Sequence, residues 1–202
     1  EGDHWGEPVN LGSPVNSDES EYYPSITKDN TLYFTRAGQN RVHNIYRSRL
    51  IDGQYSEPEL LPENVNCGSN NFNAFIAHDE SYIIVPAAGR PDSYGGVDYY
   101  ISFYWHDKDI WSLPQNLGRQ VNTPGNGEWS TYVTRDGSLL FFMSSRTIPE
   151  EQLPAELSYQ FILESNEKPG NGYSNIYWMQ AAFLDSLRST AVFEKSDDSD
   201  VN

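Results

Sequence analysis

The sequence predicts an all-β chain built from four-stranded antiparallel units, and three observations predict it. A twelve-residue phrase recurs: WGEPVNLGSPVN from Trp5, YSEPELLPENVN from Tyr55 and WSLPQNLGRQVN from Trp111. Each phrase precedes two short β-rich runs joined by an Asp-containing turn, at Asp29, Asp79 and Asp136. Aromatic residues make up 14% of the 202, with 14 Tyr, 15 Gly and 12 Pro, a mix that suits short strands and frequent turns over helices. Spacings of 50 and 56 residues with this much internal order mark a structural repeat.

Each element of the unit has a local cause. YPSIT and TLYFT are strand-forming runs around KDN, whose Asp and Asn adopt turn dihedrals readily. In the third unit the turn reads RDG, the strongest hairpin signal in the chain. Arg36, Arg90 and Arg146 close the second strands. NIYRSRL, DYYISFYW and NIYWMQAAF follow as third strands. DGQY then turns the chain into YSEPELL, a fourth strand whose Pro58 suits a sheet edge because it lacks an amide donor. Four-stranded antiparallel units at a fixed period describe the blades of a β-propeller. The expected boundaries are an outer strand at 4–12 and blades at 20–61, 70–117 and 128–184. An insert at 147–172 interrupts the third blade, and an acidic flexible tail is expected at 185–202.

The run EPVNLGSPVNSDESEYYPSITKDNTLYFTR with NIYRSRL resembles the WD40-like, or PD40, repeat of TolB-like propellers, over roughly residues 4 to 184. NGYSNIYWMQAAFLDSLR resembles the C-terminal end of bacterial members of that family. The resemblance implies about three blades of a six-bladed ring, in a periplasmic or secreted bacterial protein. Three blades do not close, since propellers have about 4 to 8. Upstream blades outside this sequence are the favoured explanation, because members of the family are longer and the chain starts with Glu1. Pairing of two chains as a homodimer is another. A third is that the insert adds strands, with LSYQFILES reading as one.

The formal net charge of -16 repels nucleic acid and anionic lipid. Cys67 stands alone, so neither an internal disulfide nor a cysteine zinc site can form. No apolar run approaches the ~20 residues of a membrane span. Nucleophile-elbow, P-loop and dinucleotide motifs are all missing.

Strand order places the acidic strand starts and the arginine strand ends on one face, together with loops 37–43, 91–97 and 147–174. Candidate ligand-binding residues there are Arg36, Arg90, Arg146, Glu21, Glu128, His43 and Tyr94. An arginine ring suits a carboxylate or a sulfated sugar. Recurrence at one repeat position favours instead a role in locking blades together. Asp18, Glu19, Glu21 and Glu128 would suit calcium, but calcium-loop spacing is missing, so no cofactor is expected. His4, His43, His78 and His106 do not converge on one face. Tyr94 breaks the repeat symmetry within a Gly-rich loop and is placed to stack on a sugar or side chain. The expected function is therefore a non-enzymatic binding or scaffold module for a protein, peptide or glycan. The alternative is a polysaccharide lyase or hydrolase using Glu21, Glu128 and His43 with Arg36 or Arg146.

Overall fold

The computed structural model describes residues 5–125 and 127–194. Its architecture is all-β, with antiparallel sheets formed from consecutive strands. The first sheet joins β1 (Ser20–Ile26), β2 (Leu32–Ala37) and β3 (His43–Ser48); a hairpin of β4 (Leu50–Ile51) and β5 (Gln54–Tyr55) follows, and β6 (Glu59–Leu60) returns to pair with β3. The second contains β7 (Asn70–Asn71), β8 (Phe75–Ile76), β9 (Tyr82–Ala88), β10 (Val97–Trp105), β11 (Ile110–Trp111) and β12 (Gln115–Asn116), with β9 and β10 at its centre. The third holds β13 (Thr131–Val133) and β14 (Leu139–Ser144); after α1 (Tyr159–Asn166) the chain adds β15 (Asn175–Gln180), then ends its described part in α2 (Phe183–Ser189) and a short extension.

Burial shows how the sheets stack. Central strands β9 and β10 are buried on both faces, which is why YIIVPAA and VDYYISFYW read as continuous apolar runs without alternation. Tyr33 and Ile45 of the first sheet share a core with Ile83, Val85 and Trp111 of the second. Ile84, Tyr99 and Ile101 of the second share another with Leu140 and Phe142 of the third. Arg47, almost fully buried, fastens the first pair: it donates to Glu59 at 2.9 Å, Asp109 at 3.1 Å and the Tyr104 hydroxyl at 3.1 Å.

The recurring phrase explains itself at its final asparagine. Asn66 Oδ1 accepts from the Ile45 N–H at 2.7 Å, and its amide donates to the Ile45 carbonyl at 3.1 Å. Asn122 does the same to Tyr99, at 2.8 and 3.0 Å. The Pro86 carbonyl opposite Tyr99 on β9 faces away and accepts from the Phe72 N–H at 2.9 Å, so the buried Tyr99 N–H points toward the phrase and finds its acceptor in a side chain. The phrase thus clamps the third strand of the sheet before it.

Three expectations are corrected. LSYQFILES contains a helix, α1, and no strand: the Ser158 hydroxyl caps it by accepting from the Phe161 N–H at 3.1 Å, and no described strand lies alongside to satisfy an extended backbone. Residues 5–12 form no strand, because no described strand lies beside them to pair with; residue 4 lies outside the described residues. Residues 185–194 are not a loose tail. Leu184 of α2 enters the core, the Leu113 N–H donates to the Val192 carbonyl at 2.8 Å, and Phe193 packs edge-on against Trp105. The rest of the expected tail, 195–202, lies outside the described residues.

Candidate ligand-binding cleft

The arginines are engaged with the scaffold. Arg36 pairs with Glu21 at 2.8 Å and donates to the Val15 carbonyl at 2.9 Å. Arg90 pairs with Asp92 at 2.9 Å, donates to the Cys67 carbonyl at 3.2 Å and lies over the Tyr100 ring. Arg146 donates to the Val121 carbonyl at 3.0 Å and lies over the Tyr177 ring. Each therefore holds a carbonyl in or just after the phrase that precedes its sheet. With the asparagine clamp on one side and the arginine on the other, the phrase is stapled between consecutive sheets.

The acids and His43 are tied up as well. Burial alone would raise the Glu21 carboxyl, but hydrogen bonds from Ser17 and the Arg36 guanidinium outweigh it and hold it below the usual carboxylate range. Glu128 is fully enclosed; Thr123 and Ser144 donate to its Oε1 at 2.8 and 3.0 Å. Burial raises its carboxyl, with the nearby Asp98 charge adding to the shift, against those two hydrogen bonds and Arg146. Its Oε2 has no hydrogen-bond partner among the described residues. His43 begins β3, shares a 2.7 Å hydrogen bond with the Tyr22 hydroxyl and packs on Phe72, which packs in turn on Trp129. Tyr94 is partly exposed, with the Arg119 guanidinium over its ring at 5.0 Å. The structure brings Glu21 to Arg36, and Glu128 into the neighbourhood of Arg146. It does not gather the seven residues into one concave site.

The concave site lies at the other ends of the strands. A cleft of about 620 Å³ opens between β1, β8 and β13, toward the Asp79 and Asp136 turns. Neighbouring first strands border it and are joined by bonds from the Ile76 N–H to Ser25 Oγ and from the Tyr23 hydroxyl to the Thr131 carbonyl. Its floor is aromatic. Phe75 meets Tyr132 edge-on at 5.6 Å and Tyr82 at 6.4 Å, and Tyr132 remains 50% exposed. His78, Arg135 and Arg188 bring positive or titratable groups to its wall. Arg188 is held by Ser81 Oγ at 3.1 Å and lies over Phe103 at 4.9 Å.

The two turn aspartates have structural duties. Asp79 accepts from the Ser81 N–H. Asp136 accepts from the Thr134 hydroxyl and from both the N–H and hydroxyl of Ser138, and these bonds hold its carboxyl down to about 2. The cleft therefore offers apolar rings, hydroxyls and cationic groups, a surface for stacking and hydrogen bonding. Ser25, Phe75 and Tyr132 occupy the same repeat position, and that position differs in every unit. This was the available signal for the cleft, while the arrival of Arg188 from a distant helix had none.

Among the described residues, no three or more His, Cys, Asp or Glu side chains are grouped to hold a metal ion, and no helix is long and apolar enough to cross a membrane. No family model matches the chain, and no curated protein matches it.

Proposed function

We propose that this chain is part of a β-propeller of the WD40-like, TolB-like kind, from a periplasmic or secreted bacterial protein, and that it acts as a non-enzymatic binding module. The propeller reading is supported by consecutive antiparallel sheets that stack face to face in chain order, with the first strands lining a common cleft. The binding reading is carried by one observation: Tyr132 stands half exposed on an aromatic floor inside that cleft, edge-on to the buried Phe75. Such a floor takes the flat apolar face of a glycan ring or a peptide side chain. Arg135 and Arg188, with Asp79 and Asp136, give the wall polar groups of both signs.

A lyase or hydrolase would need Glu21, Glu128 and His43 around one substrate. Glu21 is ion-paired, Glu128 is enclosed and His43 is bonded to Tyr22, so the observations weigh toward binding. Glycan and peptide arrays probed with the parent, Tyr132→Ala and Tyr94→Ala test the assignment. Binding lost with Tyr132→Ala and kept with Tyr94→Ala is expected. Loss only with Tyr94→Ala moves the site to the opposite loops, and turnover of an arrayed polysaccharide refutes the non-enzymatic reading.

A further inference from the structure

A second hollow, of about 370 Å³, adjoins the cleft at Arg188, which lines both. Trp105 ends β10 and stands 40% exposed in its wall. Phe193 meets Trp105 edge-on at 5.5 Å, and the Lys108 ammonium lies 4.1 Å from its ring centre. Aligned on Asn44, Asp98 and Asn175, the same repeat position holds Ile51 in the first unit and Ala182 in the third. Trp105 is therefore an exposed aromatic that the repeat does not call for, as Tyr132 is in the cleft.

Arg188 is held on the divide between the two hollows. Its guanidinium lies 4.9 Å from the Phe103 ring centre and 6.0 Å from that of Tyr82, and these two residues face each other across β9 and β10. Ser81 Oγ accepts one of its N–H groups at 3.1 Å. A guanidinium carries five such donors, so others remain for a ligand passing from one hollow to the next.

The surroundings select the chemistry of that ligand. Both edges of β10 are taken at this end. Phe103 faces Tyr82 and the Tyr104 N–H donates to the Ser81 carbonyl at 3.0 Å on one side, while Tyr104 and Trp105 pair with Trp111 and Ile110 on the other. A peptide strand finds no ladder to extend there. The charges are mixed: Arg188 and Lys108 stand with Asp107 around the second hollow, and Asp79 and Asp136 border the first. A highly charged chain of either sign would meet like charges along this path. A sugar hydroxyl donates and accepts, so it suits both signs, and the apolar face of the ring stacks on an aromatic.

Resting on the reading of the cleft as a binding site, we infer that its ligand is a neutral linear oligosaccharide. One sugar stacks on Tyr132, a later one stacks on Trp105, and the units between them cross Arg188. Trp105 thereby sets the length of chain that is preferred.

The test is calorimetric titration of the full chain with neutral disaccharides through hexasaccharides of the glucan, mannan, galactan and xylan series. Affinity is expected to rise with length in at least one series. Trp105→Ala should weaken the hexasaccharide about tenfold, the loss of one stacking contact. It should leave the disaccharide unchanged, which also shows that the variant is folded. Trp105→Tyr keeps a ring and should recover most of the hexasaccharide affinity. Tyr132→Ala should weaken every length. A parent that binds no member of these series overturns the inference. So does a Trp105→Ala chain that binds every length as the parent does, or one that loses as much with the disaccharide as with the hexasaccharide. Peptide binding that is lost with Tyr132→Ala would keep the cleft as the site and strike out the oligosaccharide.

Discussion

Replacing Asn122 with Ala tests the clamp directly. Asn122 is nearly fully buried, and its side chain makes three hydrogen bonds, two to Tyr99 and one to Asn116 Oδ1 at 2.8 Å. The Tyr99 carbonyl keeps the Leu117 N–H after the change, at 3.0 Å. The Tyr99 N–H is left without its Asn122 acceptor, because the Pro86 carbonyl opposite faces the Phe72 N–H on the other side. A buried donor left unpaired costs about 1–3 kcal/mol, and the two other lost bonds add about 0.5–1.5 kcal/mol each at most. A loss of about 3 kcal/mol is expected. With a urea m-value of about 2–3 kcal/mol/M, the unfolding midpoint falls by roughly 1 M at unchanged m. The same change at the exposed Asn16, beside which no described strand lies, should stay within about 0.5 kcal/mol, as for an ordinary surface site. Equal costs at Asn16 and Asn122 would refute the argument, since the residue type would then matter and the clamped strand would not.

Two further predictions concern pH. Burial raises the Glu128 carboxyl, so the folded chain favours its protonated form. Its contribution is complete below the ordinary value of 4.5 and declines as pH rises through the raised one. Thermal melts of Glu128→Gln between pH 4 and pH 7 should therefore show a flatter loss than the parent; parallel curves would contradict this. Asp136 has the opposite sign, because its carboxyl is held down to about 2 by the turn. Its contribution is present above the ordinary 3.8 and is lost as pH falls through about 2. Asp136→Asn should melt below the parent at pH 7, with the gap closing toward pH 2.

The sheets were legible because strand signals repeat. The KDN, HDE and RDG turns, the third strands and the edge proline Pro58 each have a local physical cause, and repetition multiplied a weak signal. The α1 segment was not legible by the same means. Tyr159, Phe161 and Ile162 have strand propensity, and whether such a run extends or coils depends on a strand edge to pair with, which is a tertiary fact. Residues 5–12 failed for the same reason: they carry the phrase but meet no partner. The role of the arginines was legible, since a residue repeated in every unit serves the unit. Their acceptors were not, because backbone carbonyls leave no mark in a sequence.

The cleft shows where a chain with a recurring phrase has room to specialise. Positions that staple the sheets are held to one solution: Asn at the end of each phrase and Arg at the end of each second strand. Altering one unit there breaks a bond between sheets. Toward the cleft the constraint is looser, because a side chain facing open space need only avoid its neighbours. Ser25, Phe75 and Tyr132 occupy one repeat position there and share no chemistry. Ser25 is spent on the Ile76 N–H, Phe75 is packed and Tyr132 is half exposed. The asymmetry of the cleft thus arises at a position where variation costs the scaffold little. A residue that repeats is evidence about the fold, and an exposed aromatic that does not repeat is evidence about a ligand.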